Sequence, residues 1–82
     1  MISIRQVKAA RALLGWSQTD LARASGISEP TIKGLEASDG DLGGRAETAD
    51  AIRTALEEAG VIFVPENGEG AGVRLRKKTT AV

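Results

Sequence analysis

Eighty-two residues, 27% of them charged and with a formal net charge of zero, support one small domain. The sequence has no Cys and no His, which removes disulfides, thiol chemistry, imidazole catalysis and the usual zinc ligands, so no metal and no cofactor is expected. No apolar run approaches bilayer length and no signal-peptide pattern opens the sequence, so a cytoplasmic setting without a membrane partner is expected.

The zero balance hides an uneven distribution. Residues 1–35 carry Arg5, Lys8, Arg11, Arg23 and Lys33 against only Asp20 and Glu29, whereas residues 36–72 set Arg45 and Arg53 against nine acids. The last ten residues add Arg74, Arg76, Lys77 and Lys78 with no acid. Attraction to phosphate is a local field, so this asymmetry weighs more than the total.

In chain order, Ser3-Ile4-Arg5-Gln6 has the form of a capping box. Ile4, Val7, Arg11 and Leu14 then share one helical face, with Ala10 beside them and Gly15 as a stop. The spacing predicts a first helix over about Ile4 to Leu14. Ser17 caps a second helix with Asp20 completing its box, and Leu21 and Ala22 face inward. Gly26 supplies the left-handed residue of a sharp turn. Ser28 caps a third helix whose Ile32 and Leu35 point to the core, and Pro30 falls in its first turn, where a missing N–H costs nothing.

Residues 37–44 (ASDGDLGG) read as a loop by their Gly and Asp content. A fourth helix is predicted from about Arg45 to Ala59, with Ala49, Ile52, Leu56 and Ala59 at helical spacing and Gly60 ending it. Val61-Ile62-Phe63-Val64 and Val73-Arg74-Leu75-Arg76 then read as the strands of a β-hairpin joined by a turn-forming loop. Residues 77–82 read as a flexible tail. The expected organisation is a helical unit over residues 1–60, a hairpin over 61–76 and the tail.

Both faces of the first strand are apolar, and a lone two-stranded hairpin is marginal in water. One face can pack on the helices. The other, or an open strand edge, suits the same hairpin of a second copy, so Val61, Ile62, Phe63, Val64, Val73 and Leu75 are candidate dimerisation residues. The alternative is a hairpin wrapped onto its own helices.

Two short capped helices joined by Ser25-Gly26-Ile27 have the plan of a helix-turn-helix, whose second helix enters the DNA major groove. With Arg11, Gly15-Trp16-Ser17-Gln18, Leu21-Ala22, Gly26, Ser28, Thr31-Ile32 and Leu35-Glu36 in place, the sequence resembles the phage-repressor-like (Xre/Cro) helix-turn-helix regulators. The resemblance runs from Ser3 through the fourth helix and implies a mainly α, four-helix lambda-repressor-like domain. This chain departs from many relatives in carrying a C-terminal β-hairpin instead of a fifth helix.

The resemblance implies that Ser28, Glu29, Pro30, Lys33 and Gly34 approach base edges and that Thr31 contacts phosphate or the groove wall. It gives Ser17 and Gln18 a place at the DNA backbone, with Gln18 also a brace for the third helix, and Arg45 a phosphate contact. It also implies a partly buried Arg11–Glu36 ion pair, with Arg11 near a phosphate. Each position has a plainer alternative. Gln18 can be an ordinary solvated side chain, and Glu29 and Lys33, at i and i+4, can be a surface pair. Gly34 can be simple tolerance, and Trp16 suits the core better than a base-stacking platform. Arg5, Lys8 and Arg23 are further phosphate candidates, and Arg74 to Lys78 can serve flanking DNA or solubility alike.

The expected function is a sequence-specific, double-stranded DNA-binding regulator associated with the bacterial nucleoid, acting as a homodimeric repressor on a pseudo-palindromic operator, its own promoter being one candidate. The rival is an antitoxin or adaptor whose hairpin binds a protein partner. An enzyme is not expected, because no nucleophile–base pair or metal-ligand cluster is present. The glycines at 68, 70 and 72 do not precede a helix, so they form no phosphate loop.

Overall fold

The computed structural model describes residues 2–77, so residues 78–82 of the expected tail lie outside the described residues. Four helices and two strands follow in order: α1 (Ile4–Leu14), α2 (Gln18–Ser25), α3 (Glu29–Glu36), α4 (Ala46–Glu58), β1 (Val61–Val64) and β2 (Gly72–Leu75). This is the mainly helical fold with a C-terminal antiparallel hairpin that the sequence pattern predicts.

The starts of α1, α2 and α3 are set by side-chain oxygens. Ser3 Oγ accepts the Gln6 N–H at 3.1 Å while Gln6 Oε1 accepts the Ser3 N–H at 2.8 Å. Ser17 and Asp20 repeat the exchange at 3.0 and 2.9 Å. Each pair satisfies amides that a helix start leaves without an intrahelical partner. Ser28 caps α3, and Pro30 lies in its first turn. Gly26, at φ 76°, makes the left-handed turn between α2 and α3.

Four boundaries differ by one residue from the pattern. Arg45, expected as the first residue of the fourth helix, is its extended N-cap at φ −75° and ψ 145°, and α4 starts at Ala46. Arginine carries no short acceptor oxygen, so no side-chain cap forms there. At the other end Ala59, expected as helical, is the C-cap. The second strand takes in Gly72, opposite Val64, and ends at Leu75. Arg76 still donates its N–H to Gly60 O at 2.7 Å.

The core gathers one face from every helix: Ile4, Val7 and Ala10 of α1, Leu21 of α2, Ile32 of α3, and Ile52, Ala55 and Leu56 of α4. Ile2, Leu42 and Val61 complete it. Leu42 shows that the 37–44 loop is more than a connector. Its N–H donates to Ile2 O at 3.0 Å and the Ile4 N–H donates to Gly40 O at 2.9 Å, so the loop pairs with the residues before α1.

In the hairpin, Val61 faces Leu75, Ile62 faces Arg74, Phe63 faces Val73 and Val64 faces Gly72. Directly paired residues share a face. Val61, Phe63, Val73 and Leu75 therefore look toward the helices, and Ile62, Val64 and Arg74 look away. β2 lies against α1 and β1 against α4. Val61 is fully buried there, and Phe63 and Val73 pack on the same core, with the Arg53 guanidinium 5.9 Å from the centre of the Phe63 ring. No described helix is long and apolar enough to cross a membrane.

Candidate nucleic-acid interface

The surface of interest is the outward side of α3 with the start of α2 beside it. The two sides of α3 differ in burial: Ile32 and Glu36 are buried, Glu29 and Leu35 are half-buried, and Ser28, Pro30, Thr31, Lys33 and Gly34 are exposed. Packing of Ile32 against Leu21 and the rest of the core turns the polar side of α3 to solvent. Gly34 meets no atom of its own chain within 4 Å of where a Cβ would stand, so no internal packing requires a glycine there.

Three side chains fix the far end of α3. Arg11 donates from Nε to Glu36 Oε2 at 2.8 Å and from Nη2 to Glu36 Oε1 at 2.6 Å. Its Nη1 reaches the Trp16 carbonyl at 3.0 Å. Gln18 Nε2 donates to the same Glu36 Oε1 at 3.1 Å. One buried carboxylate thus ties α1, the start of α2 and the end of α3 together. Burial pushes the Glu36 carboxyl up, but the hydrogen bonds from Arg11 and Gln18 outweigh it and hold the group below its ordinary value. Gln18 is therefore a brace in this structure rather than a free solvated side chain. Trp16 packs partly buried against the core.

The near end of α3 carries a second cluster. The Thr19 hydroxyl donates to Glu29 Oε1, and Lys33 Nζ stands 3.1 Å from Glu29 Oε2. The Thr19 bond first, and the Lys33 contact after it, hold the Glu29 carboxyl below its ordinary range. Glu29 and Lys33 thus form the i, i+4 surface pair that the spacing allows, and Thr19 joins it. Ser28 Oγ and Thr31 Oγ1 lie 2.8 Å apart at the cap.

Arg45 is exposed and forms no ion pair among the described residues. A Cβ at Gly44 would stand 3.4 Å from Leu35 Cδ2, so the segment leading into α4 passes close to Leu35 of α3. Arg5 is committed elsewhere, to Asp39 at 3.4 Å with both groups exposed. Lys8 and Arg23 are exposed.

Ser17, Gln18, Ser28, Glu29, Pro30, Thr31, Lys33 and Gly34 are thus brought together along two adjoining helices. Arg11 sits behind them, bound to Glu36. Two participants escaped the sequence pattern. Thr19 gave no signal, since an exposed Thr in a first helical turn is unremarkable. Gln6 was legible only as half of a capping box, yet it is 6% exposed and its Nε2 also donates to Gly72 O at 2.9 Å, with Val64 O at 3.4 Å. A buried residue type that is usually exposed is the one clue the structure supplies in retrospect.

A helix-turn-helix family model matches residues 7–43, from within α1 through the loop after α3. No curated protein matches the chain.

Proposed function

Through residues 7–43 this chain belongs to the Xre/lambda-repressor-like helix-turn-helix family of DNA-binding transcription regulators, and from that premise we propose a sequence-specific regulator that binds double-stranded DNA as a homodimer. The observation that carries this is the division of α3 into a core-fixed side, Ile32 and Glu36, and an exposed polar side from Ser28 to Gly34. A helix held from behind and free in front is what insertion into a major groove needs. Lys33 donates to guanine O6 or N7, and Pro30 offers an apolar surface to a thymine methyl. Ser17, Thr31 and Arg45 hold phosphates, aided by the N-terminal end of α2 with its inward-facing brace Gln18.

Three or so base-contacting side chains specify little, so two copies on a pseudo-palindromic site supply the rest. The second copy suits the apolar surface that the fold leaves open. Among the described residues Leu13 and Leu75 are the large hydrophobics left exposed, at 45% and 43%. They line one shallow depression with Leu14, Ala59 and Gly60. A small regulator of this kind acts by covering a promoter, its own being the first to try.

The test is a gel-shift titration against the DNA upstream of its own gene, at several salt concentrations and with random competitor. Lys33→Ala is expected to change base preference. Arg45→Ala is expected to weaken binding to all sequences and to reduce the salt slope by about one. Equal affinity for random competitor DNA contradicts sequence-specific regulation. An unrelated protein co-purifying on the Leu13–Leu75 surface would favour an antitoxin or adaptor instead.

A further inference from the structure

Thr19 has no packing reason to be where it is. It is exposed in the first turn of α2, its β-branched side chain is a modest helix former, and its hydroxyl is spent on a residue of the neighbouring helix. That residue is Glu29, the first of α3, whose other carboxylate oxygen is taken by Lys33 at 3.1 Å. A glutamate at an exposed helix start ordinarily samples many rotamers. Here each of its oxygens is held by a different donor, one from α2 and one from the next turn of α3.

The consequence is a directed acceptor. A carboxylate oxygen has two lone-pair sites, so one on each oxygen of Glu29 stays open after Thr19 and Lys33 are counted. An ionised carboxylate accepts and cannot donate, and the bonds from Thr19 and Lys33 favour that ionised form. In the major groove the exocyclic amino groups are the donors, cytosine N4 and adenine N6, whereas guanine and thymine present O6, N7 and O4 acceptors that a carboxylate repels.

Building on the reading of α3 as the DNA-facing helix, we propose that Thr19 is a positioning residue that fixes Glu29 as an acceptor for a base amino group. Discrimination at one base pair of each half-site then depends on a hydroxyl from α2 that itself touches no base. Loss of that hydroxyl frees Glu29 to swing with Lys33 and blurs the choice at that position alone.

The experiment uses the full chain. Wild-type protein selects from a library of randomised duplexes, and affinities are then measured by fluorescence anisotropy for the selected duplex and each single-base-pair variant. The wild type is expected to prefer cytosine or adenine at one position by roughly tenfold or more, and the variant duplexes decide between the two bases. Thr19→Val is expected to lower that preference severalfold at that position, with discrimination elsewhere and the salt slope unchanged. Glu29→Gln is expected to alter the same position, and Thr19→Ser, which restores a hydroxyl, to recover the wild-type pattern. A Thr19→Val variant that binds every duplex more weakly, with a shallower salt slope, would show a phosphate contact and overturn the proposal. So would unchanged discrimination in Thr19→Val. In both cases DNA reading by α3 stands. A wild type that enriches no sequence removes that reading and the role of Thr19 with it.

Discussion

Arg11 meets Glu36 side-on, with Nε on one carboxylate oxygen and Nη2 on the other, so that α1 grips the last residue of α3. Charge-assisted bidentate pairs of this type are both strong and directional. Glu36 is 5% exposed, which makes the pair costly to break from one side. Arg11→Ala strands a buried carboxylate and is expected to destabilise the fold by about 3 kcal/mol. A urea titration followed by circular dichroism and by the fluorescence of Trp16, whose carbonyl Arg11 also binds, reads this as a lower midpoint with an unchanged slope.

The same carboxylate sets a pH dependence. The folded-state value of Glu36 lies below its ordinary 4.5. A depressed carboxylate contributes stability that is present above the unfolded value and is lost as pH falls through the folded one. Stability is therefore expected to hold above about pH 5 and to decline below about 4.5. Asp20, held down chiefly by the Ser17 backbone N–H, and Asp39, by that of Gly40, act in the same direction from exposed positions. Glu36→Gln should be less stable at pH 7 and flatter through the acid range, as thermal melts at stepped pH would show. An equally steep acid decline in that variant would place the dependence elsewhere.

Gln6 does two jobs that one substitution can separate. Its oxygen serves the α1 cap and its Nε2 holds β2 through Gly72 O. Glu at this position still completes the capping box but turns an acceptor toward the hairpin carbonyls. Gln6→Glu is expected to keep α1 while costing about 1–3 kcal/mol for the unpaired groups. Amide hydrogen exchange should rise in β1 and β2 well before it rises in α2 and α3.

The exposed Leu13 and Leu75 provide the check on association. Leu75→Glu is expected to turn a dimer into a monomer in sedimentation at micromolar concentration while leaving the helical signal intact. Monomer-sized wild-type protein under the same conditions would contradict a stable dimer.

Much of this molecule is legible in its sequence because its helices are punctuated chemically. Ser3, Ser17 and Ser28 mark three starts, Gly15 and Gly26 mark two stops, and apolar residues at three- and four-residue spacing mark the inner faces. The Arg11–Glu36 pair came from family resemblance rather than from spacing, since 25 residues separate its members. The contacts that periodicity missed are polar and long-range. Gln6 to Gly72 spans 66 residues, Thr19 to Glu29 joins two helices, and Leu42 is buried through a loop that looked like a plain linker. Propensity and pattern describe a residue against its chain neighbours, and none of these contacts is made with a chain neighbour.

The outward side of α3 is the surface proposed to meet DNA. That placement is tested most directly by titrating ¹⁵N-labelled protein with a duplex selected by the protein itself and following amide shifts residue by residue. The largest changes are expected at residues 17–19 and 28–34 and at Arg45, with the acidic end of α4 at Glu57 and Glu58 and the 67–70 loop unaffected. Shifts confined to the hairpin or to α4, with residues 28–34 unmoved, would contradict it.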